Sequence, residues 1–168
     1  MLKSFIENSW QQNNLLPKLF CISLIPISYL YWATFALRKY LYKRGVFKVH
    51  RIKIPVIIVG NLSVGGTGKT PLVISLAQQL GEMGCSVGIV TRGYGSSVAH
   101  LPILVSADSV ASTVGDEAIV LAERTGCPVM VNPDRVAAAR ELQKLNGADS
   151  LDVLISDDGL QHYRLGRD

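Results

Sequence analysis

At 168 residues, 48% of them hydrophobic, the chain can bury one core of its own, and its mean hydropathy of +0.27 fits a globular α/β domain that carries one unusually apolar segment. The net charge of +4 hides an asymmetry, because residues 1–53 hold nine basic side chains against the single acid Glu7, whereas residues 54–168 hold eight against twelve. The basic part is expected to face an anionic surface, and since its charges flank an apolar run instead of forming a polar stripe, that surface is read as a membrane and not as nucleic acid.

Residues 1–18 are polar and rich in Asn and Gln, with no small-residue cleavage site behind a short apolar core, so no signal peptide is expected. Residues 19–37 are uncharged, bounded by Lys18 on one side and by Arg38, Lys39, Lys43 and Arg44 on the other. The run reaches the length of a membrane span. Pro26 divides it, however, Ser23, Ser28 and Thr34 dilute it, and Tyr29, Tyr31 and Trp32 sit near its middle, although such rings prefer the headgroup level. An anchor lying in the cytoplasmic face of the membrane, monotopic or re-entrant, is therefore expected in preference to a single span. The basic stretch Arg38 to Lys53 adds attraction to anionic lipid. Residues 1–53 are accordingly predicted to form a membrane-associating helix with a basic linker, and residues 54–168 the working core.

That core opens on Ile54-Pro55-Val56-Ile57-Ile58-Val59, a β-branched run expected to be a buried strand. Gly60-Asn61-Leu62-Ser63-Val64-Gly65-Gly66-Thr67-Gly68-Lys69-Thr70 follows, and then a helical pattern with Val73, Leu76, Ala77 and Leu80 on one stripe, Pro71 in the first turn, and Gly81 and Gly84 as stops. Strand, glycine loop and helix start make the context of a phosphate-binding loop. Glycines let backbone N–H groups turn onto an anion, and the helix N-terminus adds unpaired donors and the positive end of its dipole. In this pattern residues Ser63, Val64, Gly65, Gly66, Thr67 and Gly68 cradle phosphates, Lys69 reaches the terminal ones, and Thr70 offers its hydroxyl to Mg²⁺. The strict spacing would place a glycine where Ser63 stands, so the loop is a variant.

Val87 to Thr91 is predicted as a second strand, ending in Arg92-Gly93-Tyr94-Gly95 at the end of the sheet where open α/β folds bind ligands. Arg92 there serves a phosphate or is an ordinary surface arginine. Pro102 to Val105 is a third strand. Gly115-Asp116-Glu117 opens a helix that closes at Gly126, and Asp116 is either its N-cap or a carboxylate at the rim of a site. Pro128 to Val131 is a fourth strand, leading through Asn132-Pro133-Asp134-Arg135 into a helix with Ala138, Leu142 and Leu145 on one face, stopped at Asn146-Gly147. Alternating strands and helices at this spacing imply parallel pairing with right-handed crossovers. Cys21, Cys85 and Cys127 are odd in number, far apart and without metal-ligand spacing, and are read as small hydrophobes in a reducing compartment.

The last segment, Leu151 to His162, is an apolar strand ending in Asp157-Asp158-Gly159-Leu160-Gln161-His162. Paired aspartates on an apolar strand are costly unless a cation meets them, and beside a phosphate loop they can hold Mg²⁺ directly or through water. His162 touches phosphate, ligates, or caps the turn. No closing helix follows, so a longer protein is expected.

These motifs, taken with Pro133-Asp134-Arg135 and in their order from about residue 15 onward, resemble the tetraacyldisaccharide 4'-kinase family, the lipid A kinases of Gram-negative bacteria. The Ser63 departure is shared with that family. The resemblance implies a P-loop NTPase-like, mostly parallel sheet flanked by helices and preceded by an N-terminal membrane helix. It implies ATP- and Mg²⁺-dependent transfer of a γ-phosphoryl group to the 4'-hydroxyl of an acylated glucosamine disaccharide 1-phosphate, at the cytoplasmic face of the inner membrane, in lipid A and hence lipopolysaccharide biosynthesis. By position it makes Asp116 the acid-base residue, with Lys69 and the loop amides on the phosphates. It puts Thr70, Asp157 and Asp158 on Mg²⁺, and Arg92, Glu117 and His162 toward the substrate. Members of the family are longer than this chain, and their second half completes the site. Two other readings stand beside it: a membrane-associated partitioning-type ATPase, whose signature lysine is replaced by Val64, and a non-catalytic membrane-bound fragment.

Overall fold

The computed structural model describes residues 15–61, 68–93, 101–106, 108–146 and 150–166, the side chains of residues 15–21 and 146 excepted. The phosphate-loop candidates Ser63, Val64, Gly65, Gly66 and Thr67, and Tyr94 with Gly95, lie outside the described residues. The chain divides into two compact units, Met1–Phe47 and Lys48–Asp168.

The first unit is built on helix α1 (Leu15–Lys43), which continues through Pro26 instead of breaking there. Nineteen uncharged residues in a row leave it no polar face: Tyr29, Leu30, Tyr31 and Trp32 are consecutive, point in four directions about the axis, and are all exposed. Two of the hydroxyls that dilute the run are satisfied inside the helix, Ser28 donating to the Ile25 carbonyl at 2.9 Å and Thr34 to that of Tyr31 at 2.8 Å. Its basic end is stacked, with Arg38 and Arg44 over the rings of Tyr42 and Tyr40. Among the described residues no helix is long and apolar enough to cross a membrane.

The second unit is a five-stranded sheet in the order β1-β5-β2-β4-β3, with β1 (Val56–Val59), β2 (Val87–Thr91), β3 (Ile103–Leu104), β4 (Val129–Val131) and β5 (Val153–Asp157). β1, β5, β2 and β4 are parallel, as alternation with helices predicts. The third strand departs from that expectation: β3 is two residues long and antiparallel to β4, at the edge of the sheet. Residues 48–53 belong to this unit, since His50 bridges Leu165.

Period-two alternation sends strand side chains to two cores. One face packs Val87, Ile89, Val129, Val131 and Ile155 against α2 (Lys69–Glu82), α3 (Ala111–Val114) and α4 (Asp116–Thr125) through Val73, Ala77, Val114, Ala118 and Leu121. The other packs Val56, Val90, Met130 and Leu154 against α5 (Arg135–Asn146) through Val136, Ala138, Ala139 and Leu142. Each fully buried Val or Leu contributes about 1.5–3 kcal/mol. The α2 stripe is as predicted, with Val73 and Ala77 buried and Leu76 and Leu80 packed against them. Gly81, expected to stop the helix, lies inside it, and Gly84, at φ 85°, makes the turn. On α5, Leu145 is exposed, and Ala139 joins Ala138 and Leu142 in the core. Cys85 and Cys127 are free, partly buried thiols beside the first core.

Candidate active site

The carboxyl ends of β1 and β5 are adjacent in the sheet, which brings Val59 and Gly60 against Gly159 and Leu160, directly after Asp157 and Asp158. Two glycines make the approach possible. A Cβ on Gly60 would lie 2.6 Å from Leu160 Cγ, and one on Gly159 would lie 2.6 Å from Ser156 Oγ. With neither present, the Gly159 amide donates to the Val59 carbonyl at 3.2 Å. Gly68, at φ 75°, turns the chain into α2, so Lys69 and Thr70 are its first two residues. Asp158 itself has φ 51°, the left-handed conformation that aspartate tolerates better than most side chains.

These turns set Lys69 Nζ 2.7 Å from Asp158 Oδ1. The hydrogen bond to Asp158 raises the lysine above its usual range, with partial burial opposing. Thr70 donates its hydroxyl to Glu117 at the start of α4. Asp157 is buried, and its Oδ2 accepts from Thr91 at a long 3.4 Å. Burial, reinforced by the Glu117 charge and offset by Lys69, pushes Asp157 up to about 6. Its Oδ1 is buried and, among the described residues, has no partner.

Arg135 is the residue that sequence reasoning missed. It stands in the first turn of α5, where an arginine looks like a solvated cation, yet it is 1% exposed. It donates to the carbonyls of Asn132 at 2.9 Å and Asp157 at 3.0 Å, tying the ends of β4 and β5 together. Burial lowers it to about 10, with the Asp157 and Asp158 carboxylates resisting, so it is still charged at neutral pH. The signal for it was the apolar Val136 to Ala139 directly beside it, a run that draws the first turn into the core.

The remaining candidates separate. Asp116 is not the N-cap: Gly115 holds that position at φ 87°, with no side-chain cap, and Asp116 is the exposed first residue of α4 beside Glu117. The sequence offered Asp116 as a cap because aspartate prefers that position, but only glycine accepts the φ required one residue earlier. Glu117, expected toward substrate, is engaged by Thr70. Arg92 is exposed just past β2, near enough for its charge to act on Arg135. His162 is turned inward, its Nε2 donating to the Pro133 carbonyl at 2.8 Å, while Nδ1 is buried without a partner among the described residues. That geometry fits the turn-fastening alternative for His162. Among the described residues no group of three or more His, Cys, Asp or Glu is arranged to hold a metal.

Residues 20–168 match the family model described as tetraacyldisaccharide-1-P 4'-kinase. The chain belongs to this family. It is 48% identical over 167 residues to the tetraacyldisaccharide 4'-kinase of Herminiimonas arsenicoxydans, covering 99% of this chain and 45% of that protein. With the kinase of Nitrosococcus oceani it shares 51% over 145 residues, 86% of this chain and 42% of the other. The crystal structure of LpxK from Aquifex aeolicus in complex with ATP superposes with a TM-score of 0.75 at 36% identity, over 86% of this chain and 46% of that one. The chain thus spans about half the length of the curated relatives it matches, and the motifs from Ser63 to His162 all fall inside the shared half. Membership disfavours the partitioning-type ATPase.

Proposed function

We propose that this chain carries the nucleotide-binding half of a tetraacyldisaccharide 4'-kinase, which phosphorylates the 4'-hydroxyl of a tetraacylated glucosamine disaccharide 1-phosphate in lipid A biosynthesis. The observation that carries the reading is the convergence of Lys69 and Thr70, at the start of α2, on Asp158 just past β5 and Glu117 at the start of α4. ATP as donor is supported by the Aquifex LpxK structure solved in complex with it.

The residues present fit Mg-ATP. Asp157 keeps a buried oxygen that, among the described residues, has no donor, which a cation or its water would satisfy, and Mg²⁺ asks for only one or two carboxylates when phosphates, water and a hydroxyl fill the rest. Thr70, Asp157 and Asp158 would hold the ion, and Ser63 to Gly68 with Lys69 would hold the phosphates. When bound, Mg-ATP supplies the phosphoryl group and neutralises charge developing on it. Lys69 exchanges Asp158 for phosphate oxygen, keeping its proton because acidic groups surround it. Arg135 keeps the Asp157 backbone in place from behind. Asp116, exposed at the rim, takes the proton of the attacking hydroxyl.

The same reading puts the protein on the cytoplasmic face of the inner membrane as a peripheral or monotopic protein. The exposed apolar girth of α1, with hydroxyls bonded within the helix and cations at its end, supports immersion in the interface. The test is mass spectrometry of acylated disaccharide 1-phosphate micelles incubated with Mg-ATP, using this chain and a version extended to the relatives' length. A single added phosphate from the longer form is expected; product from neither overturns the reading. Asp116→Ala in the longer form should keep ATP binding and lose transfer, and loss of nucleotide binding instead would remove Asp116 from the acceptor side.

A further inference from the structure

The second half of α5 and the segment leading into β1 enclose a cleft of about 290 Å³, lined by Arg51, Ile52, Lys53, Arg140, Gln143 and Lys144. A helix that connects parallel strands runs back along the sheet, so this cleft lies toward the strands' amino ends, away from Lys69 and the aspartates. Four of its six lining residues are cationic. The only acid paired there, among the described residues, is Glu141, which takes Lys144 at 2.9 Å. Arg140 is fixed by donating to His50 Nδ1 at 3.0 Å, a bond that requires that ring nitrogen to be unprotonated. Ile52 closes the floor against the second core.

Folding thus gathers cations from two distant stretches of the chain. Arg51 and Lys53 end the basic run of the N-terminal third, and Arg140 and Lys144 come from a domain whose net charge is negative. All four cations are exposed around the partly buried Ile52, charge set beside an apolar floor. Long cationic side chains take that arrangement at a lipid interface, where the stems meet the acyl boundary and the tips meet phosphate. We propose that this cleft receives the phosphate of an anionic phospholipid headgroup, so that the core domain, and not α1 alone, holds the membrane. The proposal rests on the membrane placement argued above and specifies a partner for it.

The experiment is co-sedimentation of the full chain with vesicles of phosphatidylcholine, with and without phosphatidylglycerol. Arg140→Gln with Lys144→Gln, and separately Arg51→Gln with Lys53→Gln, should each weaken partition onto the anionic vesicles roughly tenfold at low salt, and leave partition onto neutral vesicles unchanged. All four side chains lie at the surface or its margin, and circular dichroism with a urea midpoint confirms that the variants fold. Wild-type partition retained by both pairs overturns the cleft and spares the membrane placement, whereas a wild type that ignores every vesicle overturns both. Calorimetric binding of inorganic phosphate to the wild type that is lost in the variants, with their vesicle partition unchanged, also overturns it, in favour of a site for a free anion.

Discussion

Helix α1 and the sheet domain are both rich in apolar residues, and they dispose of them in opposite ways. In the sheet domain Val73, Ile89, Leu121, Leu142, Leu154 and Ile155 are wholly buried, each covered by a partner element of the same domain. In α1 the corresponding side chains, from Ile22 to Leu37, stay exposed, Tyr31 by 71% and Trp32 by 67%. A large apolar surface of that kind marks an interaction with something else. One region therefore spends its hydrophobic residues on stability and the other on location, and changes that look alike on paper should have different readouts in the two.

The largest effect expected comes from the site itself. Lys69→Ala in a kinase of the relatives' length should lower turnover about a hundredfold or more, the scale for losing one preorganised donor to developing charge. Vesicle binding by α1 should not change, so a loss of both would show the two regions to be coupled. Turnover close to wild type would remove Lys69 from the phosphates.

How far the sequence carries can be judged at this site. Lys69, Thr70, Asp157 and Asp158 were legible because local signals place them: a helix start after glycines, and the carboxyl end of an apolar strand. What stayed hidden depends on the third dimension. The pairing of Thr70 with Glu117 joins the starts of two helices that are far apart in sequence, and no periodicity announces it. Arg135 is charged and sits in a first turn, so spacing alone gives it to solvent, whereas the ends of β4 and β5 enclose it. Strand order was equally hidden, since any permutation of β1, β2, β4 and β5 shares the same alternation. The antiparallel β3 escaped because two residues carry no period. In α1, Pro26 suggested a break, yet the helix continues past it.

A paired truncation tests the contrast between the regions directly. Leu142→Ala removes a wholly buried side chain and should destabilise the domain by about 2–5 kcal/mol in urea unfolding. Leu30→Ala removes the same atoms from an exposed position and should change stability by no more than about 0.5 kcal/mol while weakening vesicle partition. A large loss of stability from Leu30→Ala would mean that α1 is covered by the protein itself.

Gly60→Ala should fall between these. Its methyl would meet Leu160 side-chain carbons at 2.6 and 2.9 Å, and shifting Leu160 costs about 1–3 kcal/mol. Because Leu160 follows Asp157 and Asp158, the same variant should lower nucleotide affinity, measured by calorimetry. Undiminished affinity would show that the turn carrying the aspartates yields without moving them.

The smallest effect expected is a pH dependence at His162. Burial, and then the Arg135 charge, depress its proton affinity below the ordinary value of 6.5, with the bond to Pro133 and the Asp134 charge opposing. The unfolded chain therefore takes up a proton at a pH where the native ring resists it, so the histidine's contribution is complete above 6.5 and is lost as pH falls through the native value. Asp157 acts in the opposite direction over part of the same window: raised to about 6 from 3.8, it favours the native state as pH falls through 6. A single stability profile would mix the two, so the measurement is the difference between wild type and His162→Gln, whose amide can still donate to the Pro133 carbonyl. Between about pH 7.5 and about pH 5 the wild type should lose stability relative to the variant, since only the imidazole can be protonated. Parallel profiles would mean that the ring titrates as freely in the folded protein as in the unfolded chain, and that the turn beside the aspartates is open to water.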